Sequence, residues 1–172
     1  NNYLTNADQL TLSKVKKIIL DYDLGNIDNI LLFINENQKK YSINELFFIC
    51  EIANAKRLEN AAFFTRSDIV YSIIKDLPKF SKKKILKILE PSVGVGNFLP
   101  QIIEKYKDVK SIEIDVYDID INSIKILSSL LKIINPPSNF KINIINQDFL
   151  LSNTSKKYDL VVGNPPFKKI VG

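Results

Sequence analysis

The chain is predicted to adopt an open α/β fold with parallel strands, and three observations predict it. Short runs rich in Ile, Val and Leu, at residues 84–89, 112–117, 141–145 and 159–163, have the length and composition of strands. The segments between the first three runs carry apolar residues at helical spacing, so strands and helices alternate as in crossover units. Each run also ends in a polar tip, the edge at which such sheets bind ligands.

The first sixty residues read as a helical segment without a chemical motif. Leu12, Val15, Ile18 and Ile19 form one stripe, Ile27, Ile30, Leu31 and Ile34 a second, and Ile43, Leu46, Phe47, Cys50 and Ala53 a third. Ser42 with Glu45 has the spacing of a capping box at the start of the third helix. Core support is the expected role, ahead of DNA or partner contact. Cys50, on the apolar stripe, reads as packing and not as a nucleophile. Tyr41, Tyr71 and Phe64 are read as packing residues. Ser67 is expected to cap a helix running through Ile69, Val70, Ile73 and Ile74 to Leu77, which Pro78 follows.

The first strand runs into Glu90-Pro91-Ser92-Val93-Gly94-Val95-Gly96. Gly94 and Gly96 would let the backbone approach a ligand closely, and residues 97–107 read as the next helix, with Pro100 tolerated in its first turn. A Gly-x-Gly pair alone is weak evidence for a nucleotide loop; the second strand strengthens it. There Ile112, Ile114 and Val116 alternate with Glu113, Asp115 and Tyr117 and lead to Asp118-Ile119-Asp120, with Asp118 standing 22 residues beyond Gly96. An acid at that distance commonly binds ribose hydroxyls. Asp120 reads as the cap of the following helix, whose expected core stripe is Ile124, Leu127, Leu131 and Ile134. The third strand leads to Asp148-Phe149, where the carboxylate could hold an adenine amino group or simply face solvent.

The last apolar run stops abruptly in Asn164-Pro165-Pro166-Phe167. The prolines lack donors and force Asn164 out of the helical region, so a stiff hook presents an amide and a ring at the sheet edge. An amide offers a donor and an acceptor, and a ring offers a stacking face. Together they suit a flat heteroaromatic amine.

Composition bounds the chemistry. The chain has no histidine and one cysteine, which excludes ordinary zinc sites, so no metal is expected. No apolar run has the length of a membrane span, and no secretory signal pattern is visible, which makes a cytoplasmic location the default expectation. The net charge is +5, but arginine occurs only at Arg57 and Arg66, and the lysine- and Ile/Asn-rich profile fits an adenine- and thymine-rich coding sequence as well as a nucleic-acid partner. Lys168 and Lys169, next to the hook, are better phosphate candidates than Lys82, Lys83 and Lys84.

Taken in order, these motifs resemble the S-adenosylmethionine-dependent N6-adenine DNA methyltransferases of restriction-modification systems, over roughly residues 61–172. Glu90-Pro91 with Gly94, Gly96, Phe98 and Leu99 resembles that family's cofactor loop, Asp118-Ile119 its ribose step, Asp148-Phe149 its adenine-binding step, and Asn164-Pro165-Pro166-Phe167 its catalytic tetrapeptide. Phe63-Phe64-Thr65 resembles the segment that closes over the methionine end of the cofactor, although Arg66 stands where a proline is usual. The resemblance implies a truncated Rossmann-like class I methyltransferase sheet, its first four parallel strands ordered 3-2-1-4, with S-adenosylmethionine as cofactor. It also implies direct attack of a flipped adenine amine on the methyl sulfonium, with the Asn164 oxygen and Pro165 carbonyl accepting the amine protons and Phe167 stacking on the base.

Double-stranded DNA is the implied partner of the full-length protein, with a restriction endonuclease either separate or fused. Further strands and a C-terminal target-recognition domain are expected beyond residue 172. The 172-residue chain is therefore expected to be an N-terminal fragment, inactive by itself, whose last strand is an exposed edge open to self-association. Two other readings stay open: an RNA guanine-N2 or protein glutamine methyltransferase, which also uses an Asn-Pro-Pro-aromatic hook, and a noncatalytic cofactor- or DNA-binding scaffold. Phe63-Phe64-Thr65 combined with Glu90-Pro91 and Phe98-Leu99 favours DNA.

Overall fold

The computed structural model describes residues 10–54, 65, 67–80 and 84–165. Phe64, Arg66, Pro166, Phe167 and the lysines at 82, 83, 168 and 169 lie outside the described residues.

Three helices open the chain: α1 (Leu12–Asp21), α2 (Ile27–Asn37) and α3 (Ile43–Ala53). Each begins where a side-chain oxygen satisfies a spare backbone donor: Thr11 accepts from the Lys14 N–H, Asn26 from that of Asn29, and Ser42 from that of Glu45. The capping box is complete, since the Glu45 carboxylate accepts from the Ser42 N–H at 2.8 Å. Leu46, Phe47, Ile49, Cys50 and Ala53 are buried on α3, whereas on α1 only Val15 is, and Leu12 faces solvent. Helix α4 (Ser67–Asp76) takes Ser67 as its first residue instead of its cap. It is tied down by Lys105, whose Nζ donates to the carbonyls of Ile74 and Lys75 at its C-terminal end. Tyr71 is half exposed there, contrary to the packing role read from the sequence.

The sheet has the expected order, with β3 (Phe140–Asn146), β2 (Ile112–Asp118), β1 (Leu86–Glu90) and β4 (Leu160–Val161) side by side and every pair parallel. Helix α5 (Leu99–Tyr106), with Pro100 in its first turn, joins β1 to β2, and α6 (Ile121–Ile134) joins β2 to β3. Register pairs Ile88 with Ile114 and Ile114 with Ile142, so Leu86, Ile88, Ile112, Ile114 and Val116 line one fully buried face. Helices α2 and α3 pack against α6, and one continuous apolar core runs from Val15 to Val162. On α6 the buried apolar residues are Ile126, Leu127, Leu130 and Ile134; the predicted Ile124 and Leu131 are only partly covered, so the stripe is rotated from the one predicted.

The opposite face of the sheet carries the polar residues of the alternation read in β2. Asp115, 4% exposed, accepts from Asn143 at 2.6 Å, Tyr158 at 2.7 Å and Lys156 at 2.6 Å, and Lys156 also pairs with Glu113 at 3.0 Å. β4 is shorter than the predicted run of five residues: only Leu160 and Val161 pair with β1, and Val161 is 60% exposed.

Candidate active site

The tips of β1, β2 and β4 meet at the C-terminal edge of the sheet, which is where the motifs lie. After Glu90 the chain turns sharply. Val93 N–H reaches the Tyr117 carbonyl at 2.8 Å, and Gly96 N–H closes onto the Val93 carbonyl at 2.9 Å. Gly94 and Gly96 both have positive φ, 59° and 100°, a conformation that side chains resist. Space also favours glycine at 96, because a Cβ there would stand 2.6 Å from Leu127 Cδ1, which would have to shift, and 3.4 Å from Phe47 Cε1. Phe47 of the N-terminal helical segment therefore backs this loop directly.

Asp118 lies across from the loop. One carboxylate oxygen accepts from Gly94 N–H at 2.7 Å and the other from Asp120 N–H at 2.9 Å, so the acid clamps the loop while keeping unused lone pairs on a partly exposed carboxylate. Ile119 beside it is 63% exposed, an apolar side chain presented to solvent at the strand tip. Asp120 caps α6 as expected, accepting from the N–H groups of Asn122 and Ser123. Burial pushes its carboxyl up, but hydrogen bonds from Asn54, Ser123 and the two backbone donors outweigh it and hold the group below the usual carboxylate range. Asn54, at the end of α3, and Asn146, which donates to the carbonyls of Asp118 and Ile119, support this step and were missed by sequence reasoning. The only available signal was an amide directly after a helix and at the end of a strand.

Asp148 is half-buried, and its carboxylate accepts from Leu150 N–H at 2.9 Å, capping a single 3₁₀ turn over Phe149–Leu151. Phe149 meets Tyr117 edge to face at 5.2 Å. Among the described residues no hydrogen bond joins Asp148 to the glycine loop or to Asn164.

The hook meets the loop from the other side. A Cβ on Gly163 would lie 3.5 Å from Pro91, 3.7 Å from Glu90 and 3.8 Å from Ser92 Oγ, which places the base of the hook on the first turn of the loop. Ser92 Oγ is itself buried and has no hydrogen-bond partner among the described residues. Asn164 is half-buried, and its Nδ2 donates to Thr65 Oγ1 at 2.9 Å, across 99 residues of chain. Thr65 is 9% exposed. Of the predicted residues, Thr65, Glu90, Pro91, Gly94, Gly96, Asp118, Ile119, Asn164 and Pro165 thus gather at one edge, while Phe64, Pro166 and Phe167 lie outside the described residues.

The sequence profile of the family described as N-6 DNA Methylase matches residues 28–170, most of the chain. The chain belongs to that family. Among curated relatives, the type II methyltransferase M.CvrRI of Paramecium bursaria Chlorella virus XZ-6E is 28% identical over 129 residues, covering 75% of this chain and 30% of that protein. The type II methyltransferase M.HincII of Haemophilus influenzae is 32% identical over 114 residues, 66% of this chain and 18% of that protein. The chain thus spans about a third or less of the curated relatives it matches. Among solved structures, the methyltransferase subunit of a type I restriction-modification system from Streptococcus thermophilus superposes with a TM-score of 0.54 at 13% identity, over 74% of this chain and 29% of that one. A Listeria monocytogenes protein described as a class I S-adenosylmethionine-dependent methyltransferase gives 0.51 at 22% identity, over 74% and 41%. The fold here superposes on part of each of those two structures.

Proposed function

We propose that this chain carries the cofactor site and catalytic hook of a site-specific DNA adenine-N6 methyltransferase, the modification component of a type II restriction-modification system. The observation that carries the reading is the convergence of the Asn164 amide, the Glu90–Gly96 loop and the Asp118 carboxylate at one sheet edge. Residues 1–60 serve as a supporting helical layer, and residues 61–172 as the methyltransferase part.

The site fits S-adenosylmethionine by the chemistry of its donor set. Two glycines open the backbone, a partly exposed carboxylate faces the loop, and an exposed Ile119 adjoins it. Glu90, Pro91, Gly94 and Gly96 would hold the amino-acid part together with Phe64; Asp118 would take the ribose hydroxyls; Ile119, Asp148 and Phe149 would bracket the adenine. When bound, the cofactor supplies an electrophilic methyl group.

The chain's own task is to make an aromatic amine nucleophilic. The amine's lone pair is delocalised into its ring, and accepting its protons at Asn164 Oδ1 and the Pro165 carbonyl localises that pair. Phe167 stacks on the flipped base, recovering part of the few kcal/mol, roughly, that flipping costs. Holding two reactants in line is worth effective molarities of ~10⁵ M or more. Double-stranded DNA is the proposed substrate. A restriction endonuclease, fused or separate, is the proposed companion, and the open edge of β4 is the proposed place for strand addition or self-association.

The test is transfer of labelled methyl by the full-length protein to DNA, RNA and protein pools, with the modified residue identified. N6-methyladenine in DNA that disappears in Asn164→Ala is the expected result. Label in RNA guanine or protein glutamine, or cofactor binding with no transfer at all, would overturn it.

A further inference from the structure

We propose that Thr65 is a positioning residue for Asn164, anchoring the amide through its NH₂ group while its oxygen stays free for the substrate amine. The inference rests on the adenine-methyltransferase reading and deepens it. A side-chain amide has two chemically opposite ends of nearly the same shape, and its last torsion is broad and roughly two-fold. Pro165 restricts the backbone of Asn164 but leaves that torsion open, and Gly163 against Pro91 and Ser92 fixes only the base of the hook. Something else must hold the amide in place.

In this fold that anchor is Thr65. Its hydroxyl accepts from Asn164 Nδ2 at 2.9 Å, occupying the donor end and leaving Oδ1 for the substrate. With the amide turned over, Nδ2 would meet an amine that must give up a proton, donor against donor. Thr65 suits the task because its branched Cβ restricts the first side-chain torsion and so holds the oxygen in place. Its burial, at 9% exposure, keeps water from competing for the bond. The role differs from direct cofactor contact, which is what the resemblance implies for this segment.

The test compares Thr65→Val, which keeps the shape and removes the oxygen, with Thr65→Ser, which restores it, in the full-length protein. Single-turnover methylation of DNA at saturating S-adenosylmethionine is expected to slow about tenfold in Thr65→Val, the order of one lost hydrogen bond, and to recover largely in Thr65→Ser. Cofactor affinity by calorimetry is expected to stay unchanged. Weakened cofactor binding with an unchanged rate at saturation would assign Thr65 to the cofactor and overturn the proposal, as would full activity in Thr65→Val. A second readout needs no variant: the Asn164 side-chain NH₂ protons of the wild type should exchange slowly with solvent by nitrogen-edited NMR, and rapid exchange would overturn the proposal even if Thr65→Val fails to fold. If the wild type makes no N6-methyladenine while these protons are protected, the functional reading fails and the Thr65–Asn164 clamp stands.

Discussion

Replacing Gly96 by alanine tests whether the loop is held in the conformation described. Two penalties apply. At φ of 100° an L-residue is outside the regions it adopts readily, which costs about 1–3 kcal/mol. The new methyl group would also stand 2.6 Å from Leu127 Cδ1, 3.3 Å from Leu99 Cδ1 and 3.4 Å from Phe47 Cε1. Leu127 Cδ1 is the end of a side chain and can rotate away in principle, but Leu127 is fully buried in the core, and overpacking there costs about 1–3 kcal/mol. The combined loss is about 2–6 kcal/mol, a large part of the roughly 5–15 kcal/mol that stabilises a domain. For a chain of this size it corresponds to a melting point lower by about 5–20 °C. Thermal unfolding followed by circular dichroism measures it, with Gly25→Ala as the control, because nothing lies within 4 Å of a Cβ at Gly25 and no positive φ is involved. A Gly96→Ala melting point within about 2 °C of wild type would refute both the loop conformation and the close approach of Phe47.

Three further outcomes follow from buried groups. Asn54→Ala removes a donor from the buried Asp120 carboxylate and should cost about 1–3 kcal/mol at pH 7 in urea unfolding. Because the Asp120 pKa is depressed in the folded state, its contribution is complete above the unfolded value of about 3.9 and is lost as pH falls through the lower folded value, so the gap between wild type and Asn54→Ala should narrow below about pH 4; a gap constant from pH 7 to pH 3 would contradict this. Lys156→Met leaves Asp115 buried with Tyr158 and Asn143 but without its cation, and because Lys156 is a quarter exposed the expected loss is about 1–3 kcal/mol by the same measurement, with an unchanged or raised stability as the refuting result. Cys50 is fully buried and burial pushes its thiol up, so a thiol-reactive dye at pH 8 should label the unfolded chain and not the native one.

The sequence by itself determined what depends on residues a few positions apart. Ser42 with Glu45, Asp120 at the head of α6, Pro100 in the first turn of α5 and the glycines of the loop all act within one turn of chain, so their chemistry is visible as spacing. The strand order was legible only through the family resemblance that the motifs carry, and the alternation of strand and helix fits it because parallel strands need such crossovers. What only the tertiary structure decided is which polar group meets which. Thr65 and Asn164 are 99 residues apart, Asn54 and Asp120 66, Lys156 and Asp115 41 and Gly94 and Asp118 24, and no local periodicity connects them. The same holds for the rotated stripe of α6 and for the polar sheet face, where Glu113 and Asp115 read as ordinary alternation until the loop before β4 brought Lys156 and Tyr158 over them. The physical reason is that hydrogen bonds and ion pairs act over a few ångströms of space, whereas the sequence records only distance along the chain, and packing of the core converts the second into the first.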